Sequence, residues 1–122
     1  MTLADTSVWI DHLRSGVREL SDRLGHGQIA IHPLIVAELA LGNLRDRDRT
    51  LALLDLLPQV KIAHLDEVRV LIESRRLYGL GIGVIDAHLI ASVLISPSTL
   101  LWTRDKQLRN VAEDLGIHAH LS

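Results

Sequence analysis

Four acidic residues lie inside or directly after apolar segments, where a folded domain seldom places charge. They are Asp5, Glu38, Asp86 and Asp105. A carboxylate removed from water is costly unless it is paired, protonated or bound to a cation. No lysine or arginine lies within four positions of Asp5, Glu38 or Asp86. The counter-charge must therefore come from a distant part of the chain or from a bound ion, and four converging carboxylates suit one or two divalent cations.

The composition favours one aliphatic domain covering residues 1–122. A chain of 122 residues can bury about two-thirds of the surface that it exposes when unfolded. Hydrophobic residues make up 48% of the chain but Phe is absent, so the core must consist of Leu, Ile, Val and Ala. Such packing suits helices on a parallel sheet. The scarcity of aromatic residues argues against RNA-binding sheets that stack bases on aromatic faces.

Charge and cysteine content narrow the function classes further. The formal net charge is −2, so the chain as a whole is not a basic nucleic-acid binder. All but two of its 13 basic residues are arginine, the better bidentate phosphate ligand, although a genomic codon bias would produce the same composition. The absence of cysteine excludes disulfides, thiolate zinc sites and cysteine nucleophiles, and is compatible with the cytoplasm.

No membrane association is expected. The opening residues lack the basic and apolar regions of a signal peptide, and Asp5 interrupts them. The most apolar stretch, residues 83–95, is too short to span a bilayer and contains Asp86 and His88. We expect it to form a buried helix.

Short apolar segments with strand character alternate with helical patterns along the chain. The predicted strands cover residues 2–4, 28–31, 60–63, 99–103 and 117–119. The predicted helices cover residues 8–13, 17–24, 33–44, 51–57, 66–78, 85–95 and 106–115, with a charged connector at 45–49. This alternation predicts an α/β fold whose mostly parallel sheet has helices on both faces, with its site at the carboxyl ends of the strands.

Three of the four acids have a structural explanation when each is taken singly, but Glu38 does not. Asp5 and Asp105 stand where helix N-caps belong, and Asp86 would be favoured in a first helical turn. We expect these three at strand-to-helix junctions on one edge of the sheet, with Asp86 pointing inward. Glu38 is no cap, and its spacing from Leu34, Ala37 and Leu41 predicts that it lies on the buried stripe of its helix.

The ligand chemistry of these acids favours a hard cation. Carboxylate oxygens without cysteine favour Mg²⁺ or Mn²⁺. Such a site can activate water for in-line attack on a phosphodiester.

Other motifs are less informative. His118-Ala119-His120 would place two imidazoles on one face of a strand; zinc binding stays open, but solvated histidines are the commoner case. Ser7 lacks the glycine elbow of a serine hydrolase, and the glycines at 79, 81 and 83 lack P-loop spacing and suit a hinge. The remaining loop-like histidines have no evident partner: His12, His26, His32 and His64.

Four segments, in order along nearly the whole chain, resemble the motifs of the PIN-domain ribonucleases, and within them the VapC toxins of bacterial toxin–antitoxin pairs. They are Asp5-Thr6-Ser7-Val8-Trp9-Ile10-Asp11, residues 32–42 around Glu38, residues 83–89 around Asp86, and Leu101-Trp102-Thr103-Arg104-Asp105. The resemblance implies a parallel sheet flanked by helices, a homodimer, and a cognate antitoxin whose tail blocks the site.

The resemblance also implies the chemistry. Asp5, Glu38, Asp86 and Asp105 would be the catalytic and metal-binding residues of an Mg²⁺- or Mn²⁺-dependent endoribonuclease, with Thr6 and Thr103 as nearby hydroxyls. We take Arg104, beside this site, as the first candidate for a contact with the phosphates of the RNA substrate. The apolar residues Leu51, Leu54 and Leu57 are expected to offer the antitoxin a groove.

Two other functions compete with this one. A catalytically idle PIN-like module could bind RNA or protein without cleavage, although an idle relative should have lost at least one acid and all four are present. A phosphatase using Asp5 as nucleophile is disfavoured, because Ser7 stands where its pattern needs a second aspartate.

Overall fold

A three-stranded parallel sheet lies at the centre of the fold. The computed structural model describes residues 1–122 and contains β1 (Thr2–Ala4), β2 (Ile29–Ala30) and β3 (Leu100–Trp102) in the order β2-β1-β3. Thr2 pairs with Ile29 on one side and with Leu100 on the other, and Ala4 pairs with Trp102. The carboxyl ends of β1 and β3 are therefore direct neighbours.

Seven helices flank the sheet, so the predicted α/β class with a mostly parallel sheet is confirmed. They are α1 (Thr6–Ser15), α2 (Arg18–Gly25), α3 (Pro33–Ala40), α4 (Arg47–Asp55), α5 (Leu65–Ser74), α6 (Val84–Ile95) and α7 (Lys106–Asp114). None of them combines the length and the apolar character that a bilayer crossing requires.

Local sequence explains where the helices next to the sheet begin and end. The Asp5 and Asp105 side chains accept hydrogen bonds from the backbone N–H groups of Val8 and Leu108, which fixes the first turns of α1 and α7. Helix α1 ends at Gly16, whose φ of 80° favours glycine. Two helices therefore start directly at the ends of β1 and β3.

The core is mainly aliphatic, as the composition predicts, but both tryptophans, Trp9 and Trp102, are also buried in it. Its main cluster contains 23 buried residues, including Leu3 and Ala4 of β1 and Leu101 and Trp102 of β3. A second cluster joins α5 to α6 through Val68, Ala87 and their neighbours. This packing holds β1 and β3 in place beneath the loops at their carboxyl ends.

The predicted strand at 60–63 is wrong. Only Gln59 forms a parallel bridge, with Ile31. Beyond it, the backbone N–H of Lys61 donates to Ser96 Oγ and that of Ala63 donates to Ser92 Oγ. Ser92, on α6, and Ser96, directly after it, therefore accept the hydrogen bonds that a neighbouring strand would accept.

Other boundaries also differ from prediction. Residues 117–119 form a single bridge from His118 to Leu101 rather than a strand. The supposed connector at 45–49 is half helix, because α4 already begins at Arg47. Helices α3 and α5 end at Ala40 and Ser74, four residues earlier than predicted in each case, where turns take over.

Candidate active site

Asp5 is a buried carboxylate at the end of β1. Its side chain belongs to a residue only 4% exposed, and its backbone N–H donates to the Trp102 carbonyl of β3. Ser7 Oγ donates to Asp5 Oδ1 at 2.5 Å, and Thr103 Oγ1 donates to Oδ2 at 2.5 Å. Burial raises the pKa of Asp5, while the hydrogen bonds from Ser7, Thr103 and the Val8 backbone act against that rise. The Asp5 carboxylate is therefore hydrogen-bonded by hydroxyl groups and is not paired with a basic side chain.

The turn between β3 and α7 is tied to the start of α1. The Arg104 backbone N–H donates to Ser7 Oγ at 2.9 Å, and the Asp105 N–H donates to Thr103 Oγ1 at 3.0 Å. Both hydroxyls that contact Asp5 are thereby anchored by backbone groups of this turn.

Asp86 is the carboxylate whose pKa is raised by the charges of the other three. It is half-buried in the first turn of α6, where its Oδ2 accepts a hydrogen bond from the Gly83 N–H at 3.3 Å. Burial is the largest cause of its raised pKa, and the charges of Asp105, Asp5 and Glu38 raise the pKa further. All four acids are therefore close enough to interact through their charges. The prediction that Asp86 follows a strand is wrong, because a glycine-containing turn precedes it.

Asp105 lies at the exposed rim of this group. Its Oδ1 accepts from the Leu108 N–H at 2.9 Å, so the helix-capping explanation holds for it as well. Capping and a place in the acidic group are compatible, because a cap uses one carboxylate oxygen and leaves the charge in place.

Glu38 reaches the group from α3. Its Oε1 accepts a hydrogen bond from Thr6 Oγ1 at 2.6 Å, directly beside Asp5 in the chain. The predicted buried stripe is wrong: Ile35 and Leu39 are the buried residues of α3, and Glu38 is half-buried. Helix α3 contacts both α1 and α4.

No basic residue neutralises the four acids. The ion pairs formed by Arg side chains involve Asp11 and Glu19, and none involves Asp5, Glu38, Asp86 or Asp105. Like charges gathered at a partly buried position favour a bound cation as the missing counter-charge. Carboxylate and hydroxyl oxygens are the donors that Mg²⁺ and Mn²⁺ prefer, so the chemistry of the set fits such an ion.

The side chains as they stand do not form a finished ligand shell. No group of three or more Asp, Glu or His side chains is close enough to hold an ion jointly. The hydroxyls of Ser7, Thr103 and Thr6 donate hydrogen bonds to the oxygens of Asp5 and Glu38 and hold these two carboxylates in place.

The family of the chain follows from a comparison with known proteins. The family model described as PIN domain matches residues 2–114, which include all four acids. The chain belongs to the PIN-domain family. It is 44% identical over 117 residues to the protein named Ribonuclease VapC32 in two Mycobacterium tuberculosis strains, CDC 1551 / Oshkosh and ATCC 25618 / H37Rv. Each alignment covers 96% of this chain and 94% of the relative, so the resemblance to VapC proteins is confirmed.

Arg104 follows β3 in this PIN domain, but its side chain is already engaged. Its Nη1 donates to Asp11 Oδ2 at 2.9 Å, and its Nε donates to the Ser122 carbonyl at 2.9 Å. It lines an open cavity of about 840 Å³ together with Arg14 and Arg18. Nη2 of Arg104 has no hydrogen-bond partner in the chain, so it is the group of this side chain that a phosphate can contact while the pair with Asp11 stays intact.

Sequence reasoning missed the role of Ser7 in the hydrogen bonding of the PIN site. Short polar residues after a strand commonly start a helix, and that pattern alone does not distinguish Ser7 from a capping residue. The available signal was the run Asp5-Thr6-Ser7, in which both hydroxyls follow a buried carboxylate. In the fold, Thr6 holds Glu38 and Ser7 holds Asp5.

Several histidine predictions are wrong. His32 is 1% exposed, and its Nδ1 accepts from the Leu34 N–H; burial and the nearby His88 lower its pKa to about 4, so it is neutral. His12 Nδ1 accepts from the Val17 N–H. His118 is buried rather than solvated, and its Nδ1 accepts from the His120 N–H, which takes up one of the nitrogens that zinc would need.

Proposed function

We propose that the protein is a metal-dependent endoribonuclease that acts as the toxin of a type II toxin–antitoxin pair. The observation that carries the proposal is the group of four carboxylates without a basic partner, in a PIN-family chain. Identity of 44% to a protein named as a ribonuclease over nearly its full length supports the RNA substrate.

Asp5, Glu38, Asp86 and Asp105 would hold Mg²⁺ or Mn²⁺ and form the catalytic centre. Such an ion, when bound, lowers the pKa of a water molecule and stabilises negative charge that develops on a phosphodiester. The protein's contribution is to hold the four carboxylates in place. Thr103 fixes Asp5, and Thr6 fixes Glu38.

The RNA would be held mainly through its phosphates. The chain has only two Trp and one Tyr, and both Trp side chains are buried, so base stacking has few platforms. Arg104 remains the first candidate for a phosphate contact because its backbone is part of the site and its guanidinium is about one-third exposed.

The antitoxin partner would approach the acids with a basic side chain, since an acidic site without a counter-charge attracts one. The groove predicted from Leu51, Leu54 and Leu57 holds only for Leu51, which lines an open cavity of about 300 Å³ with Val36 and Ala37, because Leu54 is 4% exposed and Leu57 packs against the core. An open cavity of about 590 Å³ offers a better surface: it is lined by Glu38 together with Ile10, Leu13, Leu39 and Leu44.

Residues 1–122 would act as a single PIN domain in the cytoplasm, without membrane association, and two copies would form a homodimer. Size-exclusion chromatography with light scattering measures the oligomeric state directly.

Expression in a bacterial host tests the toxin proposal. Wild-type protein expressed alone should arrest growth and the Asp5→Asn variant should not; when the small protein encoded beside it is co-expressed, it should co-purify with either form. The Asp22→Asn variant, altered at an exposed acid on α2, should arrest growth like the wild type. Harmless wild-type expression without any co-purifying partner would refute the toxin role.

Assays with purified protein distinguish RNA cleavage from RNA binding. Single-stranded RNA should be cut internally in the presence of Mg²⁺ or Mn²⁺ and left intact in EDTA. RNA that is bound but never cut with either ion would favour the catalytically idle PIN module instead.

A further inference from the structure

We propose that Ser7 is a positioning residue of the acidic site, whose hydroxyl fixes the Asp5 carboxylate for cation binding. The inference rests on the proposed function and adds a residue that would act through Asp5 without touching the substrate. It is carried by the hydrogen bonds at the start of α1.

The direction of the hydrogen bonds follows from the available protons. Ser7 Oγ has one proton and accepts the Arg104 backbone N–H at 2.9 Å. Its own proton points to Asp5 Oδ1, which lies at 2.5 Å, while Thr103 Oγ1 is 3.5 Å away and directs its own proton to Asp5 Oδ2. An ionised carboxylate only accepts hydrogen bonds, so the Ser7 hydroxyl is the donor to Asp5.

Ser7 and Thr103 make a matched pair around one carboxylate. Each hydroxyl contacts a different oxygen of Asp5, and each accepts a backbone N–H from the turn after β3. Asp5 Oδ1 also accepts from the Val8 N–H, but at 3.2 Å, whereas the Ser7 hydroxyl lies at 2.5 Å, so Ser7 is the closer of the two donors that fix this oxygen. Ser7 therefore has the same geometric role as Thr103, from the opposite side.

Helix capping does not account for this contact. The N-cap of α1 is Asp5, whose Oδ1 accepts from the Val8 N–H. A serine that starts a helix accepts from a backbone N–H of its own first turn, whereas Ser7 accepts from Arg104, 97 positions away. The hydroxyl joins the end of β3 to the buried acid.

Metal affinity is the property that this arrangement should control. Groups that orient metal ligands typically change affinity or activity by about 10- to 100-fold when they are mutated. We therefore expect Ser7→Ala to weaken Mn²⁺ binding by at least about tenfold. Ser7→Thr keeps the hydroxyl and should restore affinity to within about threefold of wild type, well inside the range of that loss.

The experiment measures Mn²⁺ dissociation constants by electron paramagnetic resonance on the full chain. The variants are wild type, Ser7→Ala, Ser7→Thr, Asp5→Asn and the control Ser15→Ala, which removes an exposed hydroxyl at the far end of α1. Thermal unfolding in EDTA shows which variants are folded at the assay temperature. If Ser7→Ala is unfolded, Ser7→Cys replaces it, because a thiol keeps the volume but is a weak donor.

The kinetic readout separates positioning from substrate contact. Loss of affinity in the alanine variant, recovery with threonine, and an unchanged KM for RNA at saturating Mn²⁺ would support the role of Ser7. Wild-type Mn²⁺ affinity in a folded Ser7→Ala variant, or equal losses in the Ala and Thr variants, would overturn it. If Asp5→Asn still loses binding and cleavage in that case, the proposed function stands; if the wild type binds no Mn²⁺, both fail.

Discussion

The pKa of Asp86 depends on all the other members of the acidic group. Its pKa is raised first by burial and then by Asp105, Asp5 and Glu38. The folded state therefore binds the Asp86 proton more tightly than the unfolded state does. That stabilisation is present below the ordinary pKa of 3.8 and is lost as pH rises through the raised value.

Removing this charge should stabilise the metal-free protein. We expect Asp86→Asn to have a higher free energy of unfolding than wild type at pH 7 in EDTA, because repulsion among the carboxylates falls. Below pH 3.8 the difference should shrink, since Asp86 is then protonated in both states. Urea denaturation at both pH values measures it, with Asp22→Asn as the control. A less stable Asp86→Asn variant at pH 7 would contradict the electrostatic account.

The four acids could be singled out in the sequence because each lies inside or directly after an apolar segment, and their role as metal ligands stays a prediction. Contacts between hydroxyls and carboxylates could not be predicted. Ser7 and Asp5 are close in sequence, but the hydrogen bond from Arg104 that orients Ser7 arises only when β3 lies beside β1.

At the scale of elements, the segment after β2 shows where propensity fails. Residues 60–63 have strand character, yet only the Val60 N–H donates to the neighbouring Ile31 carbonyl, while those of Lys61 and Ala63 donate to Ser96 and Ser92. Strand propensity describes a half-buried pleated surface and carries no information about which group will accept the hydrogen bonds. A serine on a buried helix face can serve as that acceptor.

Ser92 should accordingly contribute more to the free energy of unfolding than an ordinary buried serine does. Its Oγ accepts from the buried Ala63 N–H at 3.1 Å, and Ser92 is 0% exposed. The Ser92→Ala change leaves that N–H without a partner and should lower the free energy of unfolding by about 1–3 kcal/mol. Chemical denaturation tests this, with the exposed Ser74→Ala as control. A loss no larger than that of the control would mean that the segment finds another acceptor.

At the scale of the molecule, the alternating pattern was enough to predict a parallel sheet flanked by helices. The extent of the sheet was overestimated, because its strands are two or three residues long and its edges are single bridges. Such bridges depend on how helices place the chain, which local sequence does not encode. The order β2-β1-β3 nevertheless brings Asp5 and Asp105 to one edge.

Binding of RNA through phosphates should appear as salt dependence. For single strands, log affinity should fall by about 0.7 per log unit of salt for each phosphate neutralised. In an Asp86→Asn background, Arg104→Gln should reduce that slope by about 0.7, because one phosphate contact is lost. Fluorescence anisotropy across salt concentrations measures it, with Arg69→Gln on α5 as the control for a lost charge. An equal change of slope in both variants would show that Arg104 does not contact the phosphates of the RNA.

The most direct test of the central claim is the rate of RNA cleavage by purified wild type and Asp86→Asn, with Mg²⁺ and with EDTA. If the four acids form one metal-dependent centre, wild type cleaves only with Mg²⁺, and the variant is slower by about 100-fold or more, the scale on which one electrostatic stabiliser acts. Circular dichroism confirms that the variant is folded. Undiminished cleavage by folded Asp86→Asn, or full wild-type activity in EDTA, would contradict the account.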